Sequence, residues 1–363
     1  MRQQVLKLAL VIGRCPPGDC GVGDYTRCLR DALLARGVEA HLIESEDWRA
    51  MSAFEVREAL RSYDLVHIQY PTLGFGYKLG PQTLSLLKSC VVTIHEASKR
   101  RILRKLSVFP LLVRAKHIIF TSEFERQYVT RRFKWIKARS SIAPVPSNIR
   151  VYPGERTRTA NEVVYFGLIL PRKELEDAVE LSRLIQSEGL AWKVRVIGRL
   201  RSEYTEYFQK MKAATAALPL VWDLNGSEEQ VAERLASSQI AYLPYPDGAS
   251  ERRGTLKAAL ANGVAVVTRA GAHTPQAMKN FLTFAGTPRE AMGAICLLFE
   301  NPIERARLAR NAADYLQQCS WERVADLHAA IYRRLLFAGH DAAVDVHGAP
   351  FEKVQDMDPK QSR

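Results

Sequence analysis

The sequence predicts an α/β protein made of two parallel-sheet domains, each doubly wound by helices. Short and almost continuous apolar runs alternate with amphipathic helical segments along most of the 363 residues. Apolar runs without polar alternation are typical of parallel strands that helices cover on both faces. A length of 363 residues suffices for two ordinary domains, and the polar segment 144–161, which contains prolines and a glycine, predicts the linker between them.

Composition limits the class of protein. The chain is 47% hydrophobic and 25% charged, which is typical of globular proteins. No apolar stretch reaches the length of a bilayer span, and no small-residue cleavage site follows the short apolar run near the amino terminus. We therefore expect a soluble cytoplasmic protein. Its six cysteines show no CxxC spacing, so we expect reduced thiols rather than a zinc site or disulfides.

The formal net charge of +13 predicts an anionic partner. A nucleotide, an anionic membrane surface and nucleic acid all fit that charge. Nucleic acid is disfavoured because no recognition-helix, RNP or zinc-finger pattern accompanies the basic residues. We therefore expect no nucleic-acid partner.

The amino-terminal half opens with a strand, a glycine-containing loop and a helix. We predict a strand over 5–12, a helix over about 24–36 that ends at Gly37, and a second strand over 40–43. The first loop contains GVGDYT, which lacks the third glycine of a GxGxxG fingerprint and is weak support for a dinucleotide. Glu44 is a candidate for a ribose-binding acid.

Two further strands, over 65–70 and 91–94, bring polar residues to one edge of the predicted sheet. His95 and Glu96 directly follow the second of them. Because ligands of open α/β sheets bind beyond the carboxyl ends of the strands, both side chains are placed to meet a substrate. His95 could donate or accept a hydrogen bond or act as an acid; the alternative is a structural histidine that caps a loop. His67, inside a strand, is predicted to lie in the core.

Residues 98–139 carry two basic segments in which apolar residues recur at helical spacing. This pattern is typical of a surface element that lies on an anionic bilayer. The alternative is a solvated helix that packs its apolar side on its own domain.

The carboxy-terminal half repeats the alternation of strands and helices. Lys173 lies just past its first strand, so its ammonium group could reach a bound diphosphate, although it could equally be a surface charge of the helix. The pattern predicts strands over 163–167, 194–198 and 240–243, and helices that end near Gly189, span about 203–217 and span 228–236.

The stretch 242–267 combines a strand, a polar loop and the start of a helix. Pro244, Pro246 and Gly248 end the strand, and the helix stops at Asn262. The loop therefore lies at the carboxyl end of a strand and the amino end of a helix, where free backbone N–H groups and the helix dipole favour an anion. Six consecutive residues occupy this junction: Ser250, Glu251, Arg252, Arg253, Gly254 and Thr255.

The two adjacent arginines strengthen the prediction of an anion. A guanidinium group offers a planar fork of donors that matches phosphate oxygens, and the hydroxyl of Thr255 can join it or cap the helix. We therefore predict that Arg252 and Arg253 bind a diphosphate. The alternative is that both are solvated surface charges.

These segments resemble the glycosyltransferases of the two-Rossmann-domain GT-B fold, specifically the large retaining family 4. The resemblance covers roughly residues 5–335 and rests on CGVGDYTRCLRDALLARGVEAHLI, VVYFGLILPRKELEDAVEL, WDLNGSEEQVAERLASSQIAYLP and ALANGVAVVT. It implies two Rossmann-like domains that face a cleft, where the first holds the acceptor and the second grips a nucleoside diphosphate sugar. It also implies sugar transfer with retention, without a metal ion or cofactor.

The resemblance carries over to single residues. Lys173 matches the family's phosphate-binding lysine, and His95 matches the histidine that contacts the donor sugar. With Arg253, these are the candidate catalytic residues. The candidate donor-binding residues are Gly167, Lys173, Ser250, Glu251, Arg252, Arg253, Gly254 and Thr255, and the candidate acceptor-binding residues are Gly21, Val22, Gly23, Asp24 and Glu96.

Three positions depart from the family pattern. Leu168 stands in place of the family's arginine, and the family's two glutamates fall on Ser250 and Ala258. The chain resembles a divergent branch in which DGxSxRRGT replaces the glutamate motif. On this interpretation the two arginines of the motif neutralise the charge of the diphosphate, and Ser250 or Glu251 meets the sugar hydroxyls.

The predicted organisation follows from the resemblance. Residues 1–150 form the acceptor domain, 151–320 the donor domain, 321–339 a helix that crosses back to the first domain, and 340–363 a loose tail. The expected acceptor is one that a lipid could carry, with the protein peripheral on the inner face of a membrane. Two alternatives remain: a catalytically silent GT-B protein that binds a nucleotide or a partner, and a Rossmann-type oxidoreductase.

Overall fold

The structure, a computed structural model, describes residues 6–15, 20–49, 52–98, 102–171 and 175–337. Within these ranges the chain forms two six-stranded sheets in which every pairing of neighbouring strands is parallel. Helices connect the strands, as parallel pairing requires. The predicted fold class, two doubly wound α/β domains, is confirmed.

The amino-terminal sheet has the order β2-β1-β3-β4-β5-β6. Its strands are β1 (Lys7–Gly13), β2 (Glu39–Ser45), β3 (Leu65–Tyr70), β4 (Cys90–Ile94), β5 (His117–Phe120) and β6 (Ser140–Ile142), and its helices are α1 (Gly21–Leu34), α2 (Ser52–Ala59), α3 (Gly80–Leu87), α4 (Ile102–Arg114) and α5 (Glu123–Thr130). The strand order changes direction between β1 and β3, which is where sheets of this kind bind ligands.

The carboxy-terminal sheet has the order β12-β11-β10-β7-β8-β9 and changes direction between β7 and β10. Its strands are β7 (Glu162–Ile169), β8 (Lys193–Leu200), β9 (Leu220–Leu224), β10 (Ile240–Leu243), β11 (Ala265–Thr268) and β12 (Leu282–Phe284). Its helices are α6 (Leu175–Ser187), α7 (Thr205–Ala214), α8 (Glu228–Ala236), α9 (Gly254–Ala261), α10 (Pro288–Glu300) and α11 (Pro302–Gln318), and α12 (Trp321–Phe337) follows them.

Several predicted boundaries were wrong. Helix α1 begins at Gly21 instead of residue 24, so the glycines of GVGD form its first turn instead of a loop. Helix α7 is shorter at both ends than the predicted 203–217. Strands β5, β6, β9 and β12 were not predicted. Strands β6, β9 and β12 are only partly buried and lack the apolar run of a central strand, whereas β5 is buried but only four residues long.

Helix α12 packs on the amino-terminal sheet, although it follows the carboxy-terminal one in sequence. It joins the core layer that also contains Leu8, Leu10, Tyr25 and Leu29 of β1 and α1. The residues that it contributes are Val324, Ala325, Ala329, Ile331 and Tyr332. His67, predicted to be a core residue, is fully buried beneath it and contacts the Tyr332 hydroxyl through Nδ1 at 2.6 Å.

The segment between the two sheets is anchored near its start, at residues 145 and 147. Trp321 donates its indole N–H to the carbonyl of Ser147 at 2.7 Å. The ammonium of Lys257, which is fully buried in α9, donates to the carbonyls of Val145 and Glu251. None of the helices in the described ranges combines the length and hydrophobicity that a bilayer span requires.

Candidate functional site

The loop between β10 and α9 is pinned against the loop that follows β11. Gly248 has a φ of +85°, and a Cβ atom there would lie 2.3 Å from the backbone nitrogen of Gly271. The next residue, Ala249, donates its N–H to the carbonyl of Arg269 at 2.8 Å. Only glycine fits both the left-handed backbone and this close approach. The loop therefore has a fixed path into α9.

The amino terminus of α9 has features of an anion site. Arg253 occupies the N-cap position, and no side chain caps the helix. Ser250 is 6% exposed, and its hydroxyl oxygen is buried without a hydrogen-bond partner among the described residues. Thr255 does not cap the helix because its hydroxyl hydrogen-bonds the Tyr245 hydroxyl at 2.7 Å. Uncapped N–H groups and an unpaired hydroxyl both favour an anionic ligand.

Arg252 reaches across to the amino-terminal sheet. Its Nη1 lies 2.9 Å from Oε1 of Glu125 and 3.3 Å from Oε1 of Glu96. The Arg252 side chain is 14% exposed, and that of Glu125 is fully buried. The carboxyl ends of β4, β5 and β10 therefore meet at one guanidinium group.

Arg253 stays on its own side of the site. Its Nη2 pairs with Asp247, and its guanidinium carbon lies 4.3 Å from the centroid of the Tyr245 ring, a cation–π geometry. The side chain is 19% exposed. Neither arginine is therefore a solvated surface charge.

His95 is buried at the end of β4. Its Nε2 lies 2.8 Å from the amide oxygen of Gln69, and its ring packs edge-on against Tyr25 at a centroid distance of 4.9 Å. An amide oxygen only accepts, so Nε2 carries the proton and Nδ1 remains an acceptor. Burial lowers the pKa of His95 to about 3, so the imidazole is neutral at physiological pH. It is suited to accept a hydrogen bond and not to act as an acid.

The first turn of α1 lies beside His95, because Tyr25 belongs to that helix. Gly23 is needed for packing: a Cβ atom there would lie 2.5 Å from Sγ of Cys15. Gly21, by contrast, has open space where a Cβ would project. Asp24 forms an ion pair with Arg27 at 3.5 Å.

Arg27 also forms an ion pair with Glu44. Its Nη2 pairs with the Glu44 carboxylate at 2.8 Å, and Nη2 also donates to the carbonyl of Cys15. Glu44, the candidate ribose ligand, is therefore engaged in tying β2 to α1. The Val22 carbonyl in the same turn accepts the Thr26 hydroxyl at 2.7 Å.

Of the other predicted donor-binding residues, Gly167 lies in β7 opposite Gly198 of β8. Burial raises the pKa of the Glu251 carboxyl group. Lys173 lies outside the described residues. The structure thus brings together the segments 21–25, 95–96 and 250–253.

The sequence analysis missed Glu125, Gln69 and Tyr245. One signal for Glu125 was available: Ser122 and Glu125 have the S-x-x-E spacing of a helix start directly after a strand. The Ser122 hydroxyl does accept the Glu125 N–H at 3.3 Å. The direction of the Glu125 carboxylate depends on contacts with the loop after β4 and with Arg252 of the other domain, which have no local signal.

A cavity of about 350 Å³ lies elsewhere, at the amino ends of β10 and β11. This is the edge of the sheet opposite the β10–α9 loop, so the cavity is not part of the candidate site. It is lined by Arg158, Gln239, Gly263, Arg305, Ala306 and Ala309.

The two facing sheets, with polar residues gathered at their carboxyl edges, define the GT-B fold class. Solved structures with this architecture include a glycosyltransferase from Rickettsia africae, which is 12% identical with a TM-score of 0.67 over 92% of this chain and 99% of that one. HepE from Anabaena, solved with UDP and glucose, is 14% identical with a TM-score of 0.66 over 90% of this chain and 98% of its own.

Sucrose-phosphate synthase from Thermosynechococcus elongatus is also 14% identical, with a TM-score of 0.66 over 92% of this chain and all of its own. No protein-family model matches the chain, and no curated protein is significantly similar to it in sequence. At identities of only 12–14%, TM-scores of 0.66–0.67 show a shared fold and nothing more, so function must be argued from the site.

Proposed function

We propose that the protein is a glycosyltransferase that moves a sugar from a nucleoside diphosphate sugar to an acceptor. The observation that carries this proposal is the uncapped amino terminus of α9, where the buried hydroxyl of Ser250 has no partner among the described residues and two arginines adjoin. A diphosphate supplies the negative charge and the acceptor oxygens that such a site lacks. HepE, of the same fold, was solved with UDP-glucose, so UDP-sugars are the first donors to test.

In the proposed reaction the bond between the anomeric carbon and the diphosphate oxygen breaks, an acceptor hydroxyl bonds to that carbon, and the hydroxyl proton passes to the departing diphosphate oxygen. Arg252, Arg253, Lys173 and the N–H groups of Gly254 and Thr255 stabilise the charge that develops on the leaving diphosphate. Gly167, Ser250 and Glu251 complete the donor-binding set. The transition state resembles an oxocarbenium ion, and the resemblance to family 4 supports retention without a metal ion.

Neutral His95 serves this reaction as an acceptor of a hydrogen bond from a donor-sugar hydroxyl through Nδ1. Glu96 and the turn formed by Gly21, Val22, Gly23 and Asp24 form the acceptor side. The contact of Tyr25 with His95, at 4.9 Å between ring centroids, supports this arrangement because it keeps the acceptor turn next to the sugar.

The test of the donor site is Arg253→Ala together with Lys173→Ala. Each variant should weaken UDP binding by about tenfold to a hundredfold, the range for losing a charge-assisted hydrogen bond, and leave uridine binding unchanged. Arg183→Ala, which removes an exposed arginine paired with Glu180 at 3.0 Å, is the matched control. If parent and variants bind UDP with equal affinity in calorimetry, the diphosphate assignment is wrong. If sugar release requires an added divalent metal ion, the proposal of a metal-independent reaction is wrong.

A catalytically silent nucleotide-binding protein is the second candidate. Two observations favour this candidate. Ser250 and Ala258 stand at the positions of the family's glutamates. The carboxylates of Glu96 and Glu125 already form ion pairs with Arg252. UDP binding without turnover or slow hydrolysis of any UDP-sugar would select it over the transferase.

We also propose that the amino-terminal domain contacts an anionic membrane from the cytoplasmic side through residues 98–139, placing a lipid-carried acceptor near the cleft. The Phe133 ring lies 5.7 Å from Phe109 and 6.3 Å from Trp135, which makes them one patch. Its exposed apolar members are Leu106, Phe109, Val113 and Trp135, and its exposed basic neighbours are Arg114, Lys134 and Lys137.

Vesicle sedimentation tests this contact. The protein should pellet with vesicles that contain phosphatidylglycerol and not with pure phosphatidylcholine, and Trp135→Ala should reduce pelleting. Ile303→Ala, at an exposed apolar residue of the other domain, is the control. Equal pelleting with both lipids, or none, would leave a soluble acceptor.

A further inference from the structure

The fully buried carboxylate of Glu125 accepts hydrogen bonds from four donor groups that belong to three residues. Its Oε2 accepts the N–H groups of Ala97 at 2.9 Å and Ser98 at 3.0 Å. Its Oε1 accepts the hydroxyl of Ser98 at 2.7 Å and Nη1 of Arg252 at 2.9 Å. A carboxylate excluded from water is stable only with such a complete set of partners. The two oxygens therefore have different functions.

The Oε2 atom fixes the loop that follows β4. Ala97 and Ser98 come directly after His95 and Glu96, so their N–H bonds to Glu125 set the path of the backbone at the proposed acceptor side. The carbonyl of His95 is held by the hydroxyl of Thr121 at 3.2 Å. This half of the interaction lies within one domain.

The Oε1 atom fixes a residue of the other domain. Arg252 uses only Nη1 for its contacts with Glu125 and Glu96, and its Nε and Nη2 groups make no hydrogen bond to the described residues. A guanidinium is a rigid plane, so holding one corner orients the remaining N–H groups. Those groups belong to the residue that directly precedes the N-cap of α9.

We infer that Glu125 is a positioning residue, whose Oε1 holds Arg252 across the cleft so that the free edge of the guanidinium faces the donor diphosphate. This inference rests on the proposed function. It goes beyond it because Glu125 touches no substrate: it acts by fixing Arg252 before the donor arrives, which reduces the cost of ordering that side chain on binding.

Glu125→Gln separates the two functions of the carboxylate. The single amide oxygen can still accept the N–H groups of Ala97 and Ser98, whereas the amide nitrogen turns N–H groups toward Arg252 and repels it. Glu123→Gln is the matched control: it makes the same change in the first turn of α5, where Glu123 pairs with Arg126 at 3.6 Å and is half exposed.

The experiment is calorimetric titration with UDP, and with inorganic pyrophosphate as a base-independent probe. Glu125→Gln and Arg252→Gln should each raise the Kd by about tenfold, and the double variant should also be about tenfold weaker, because both changes remove one interaction. Glu123→Gln should change the Kd less than about twofold.

Each other outcome has one meaning. Parent-like UDP binding by Glu125→Gln, or a double variant weaker by about a hundredfold as expected for independent effects, overturns the role of Glu125 and leaves the proposed function standing. Failure of the parent to bind UDP or pyrophosphate overturns the proposed function and this role together. If Glu125→Gln does not fold, Ser98→Ala replaces it, since this removes the 2.7 Å bond to the same Oε1 and should raise the Kd severalfold.

Discussion

The Ser250 hydroxyl illustrates how one residue can report a binding site. A buried hydroxyl without a partner destabilises the free protein by about 1–3 kcal/mol, so such a group is retained where a ligand completes its hydrogen bond. Ser250 adjoins both arginines and the amino terminus of α9. Removing this hydroxyl should therefore leave the free protein at least as stable while it weakens the binding of the ligand.

Ser250→Ala should leave the free energy of unfolding of the free protein unchanged or raise it by about 1 kcal/mol, while it weakens UDP binding by about threefold to tenfold. Urea denaturation and calorimetry measure the two effects. Ser227→Ala is the control, because Ser227 caps α8 in a complete capping box and its loss should cost about 1 kcal/mol without changing UDP binding. A destabilised Ser250→Ala protein with parental UDP affinity would contradict this view.

The single residues of the site were only partly predictable. His95, Glu96 and Arg252 could be named because each follows a strand, and strand ends are visible in the pattern of apolar residues. The contacts of these residues with Glu125 and Gln69 could not be predicted, since the two partners come from a separate helix and from another strand, β3. Contacts between distant segments leave no periodicity in the sequence.

At the scale of elements, the β10–α9 loop depends on the close approach of two backbones at Gly248. Gly248→Ala should destabilise the protein by about 2–4 kcal/mol, from the left-handed backbone and the displacement of Gly271 together, and should weaken UDP binding. Thermal unfolding and calorimetry check both effects.

Gly21→Ala is the informative contrast. Gly21 lies in the first turn of α1 with open space around its Cβ position, so alanine should stabilise the fold by about 0.5–1 kcal/mol. Any loss of sugar transfer in this variant would then come from a changed acceptor side and not from lower stability. Equal stability of the two alanine variants would mean that the loop is not pinned as described.

Several helices and most central strands were predictable from periodicity, whereas their ends, helices α2, α3, α10 and α11, and strand β5 were not. The GVGD segment was predicted to be a loop because glycine usually ends a helix, yet Gly23 continues α1 because its missing Cβ makes room for Cys15. Here a packing requirement overrides the local preference.

At the scale of the whole molecule, four buried histidines predict acid sensitivity. Burial lowers the pKa of His95 and His117 to about 3 and that of His328 to about 4, and also lowers the pKa of His67. Because the unfolded pKa is near 6.5, the unfolded chain binds more protons below that pH. Stability is therefore full above about pH 6.5 and is lost as pH falls toward 3–4.

The expected loss between pH 7.5 and pH 5 is about 1–2 kcal/mol for each of these histidines, measured as a fall in the urea midpoint. His328→Leu should make the urea midpoint depend less on pH, by the contribution of one histidine. The reason is that Nε2 of His328 is buried and has no partner among the described residues. A urea midpoint that is flat over this range would refute the assignment of neutral, buried imidazoles.

The presence of two domains was predictable from length, the linker and repeated strand–helix alternation. How the domains meet was not, because the contacts of Arg252 with Glu125 and of Trp321 with Ser147 join residues more than a hundred positions apart. Such contacts depend on the assembled fold.

The return of α12 to the amino-terminal sheet has a consequence for biosynthesis. Its residues finish a core layer that begins with Leu6, so the first domain to leave the ribosome stays incomplete until residue 337 has been translated. At 5–20 residues per second that delay is about 10–40 s after residue 150. Throughout this interval the apolar surface of β1 and α1 is uncovered, which makes the nascent chain prone to aggregation.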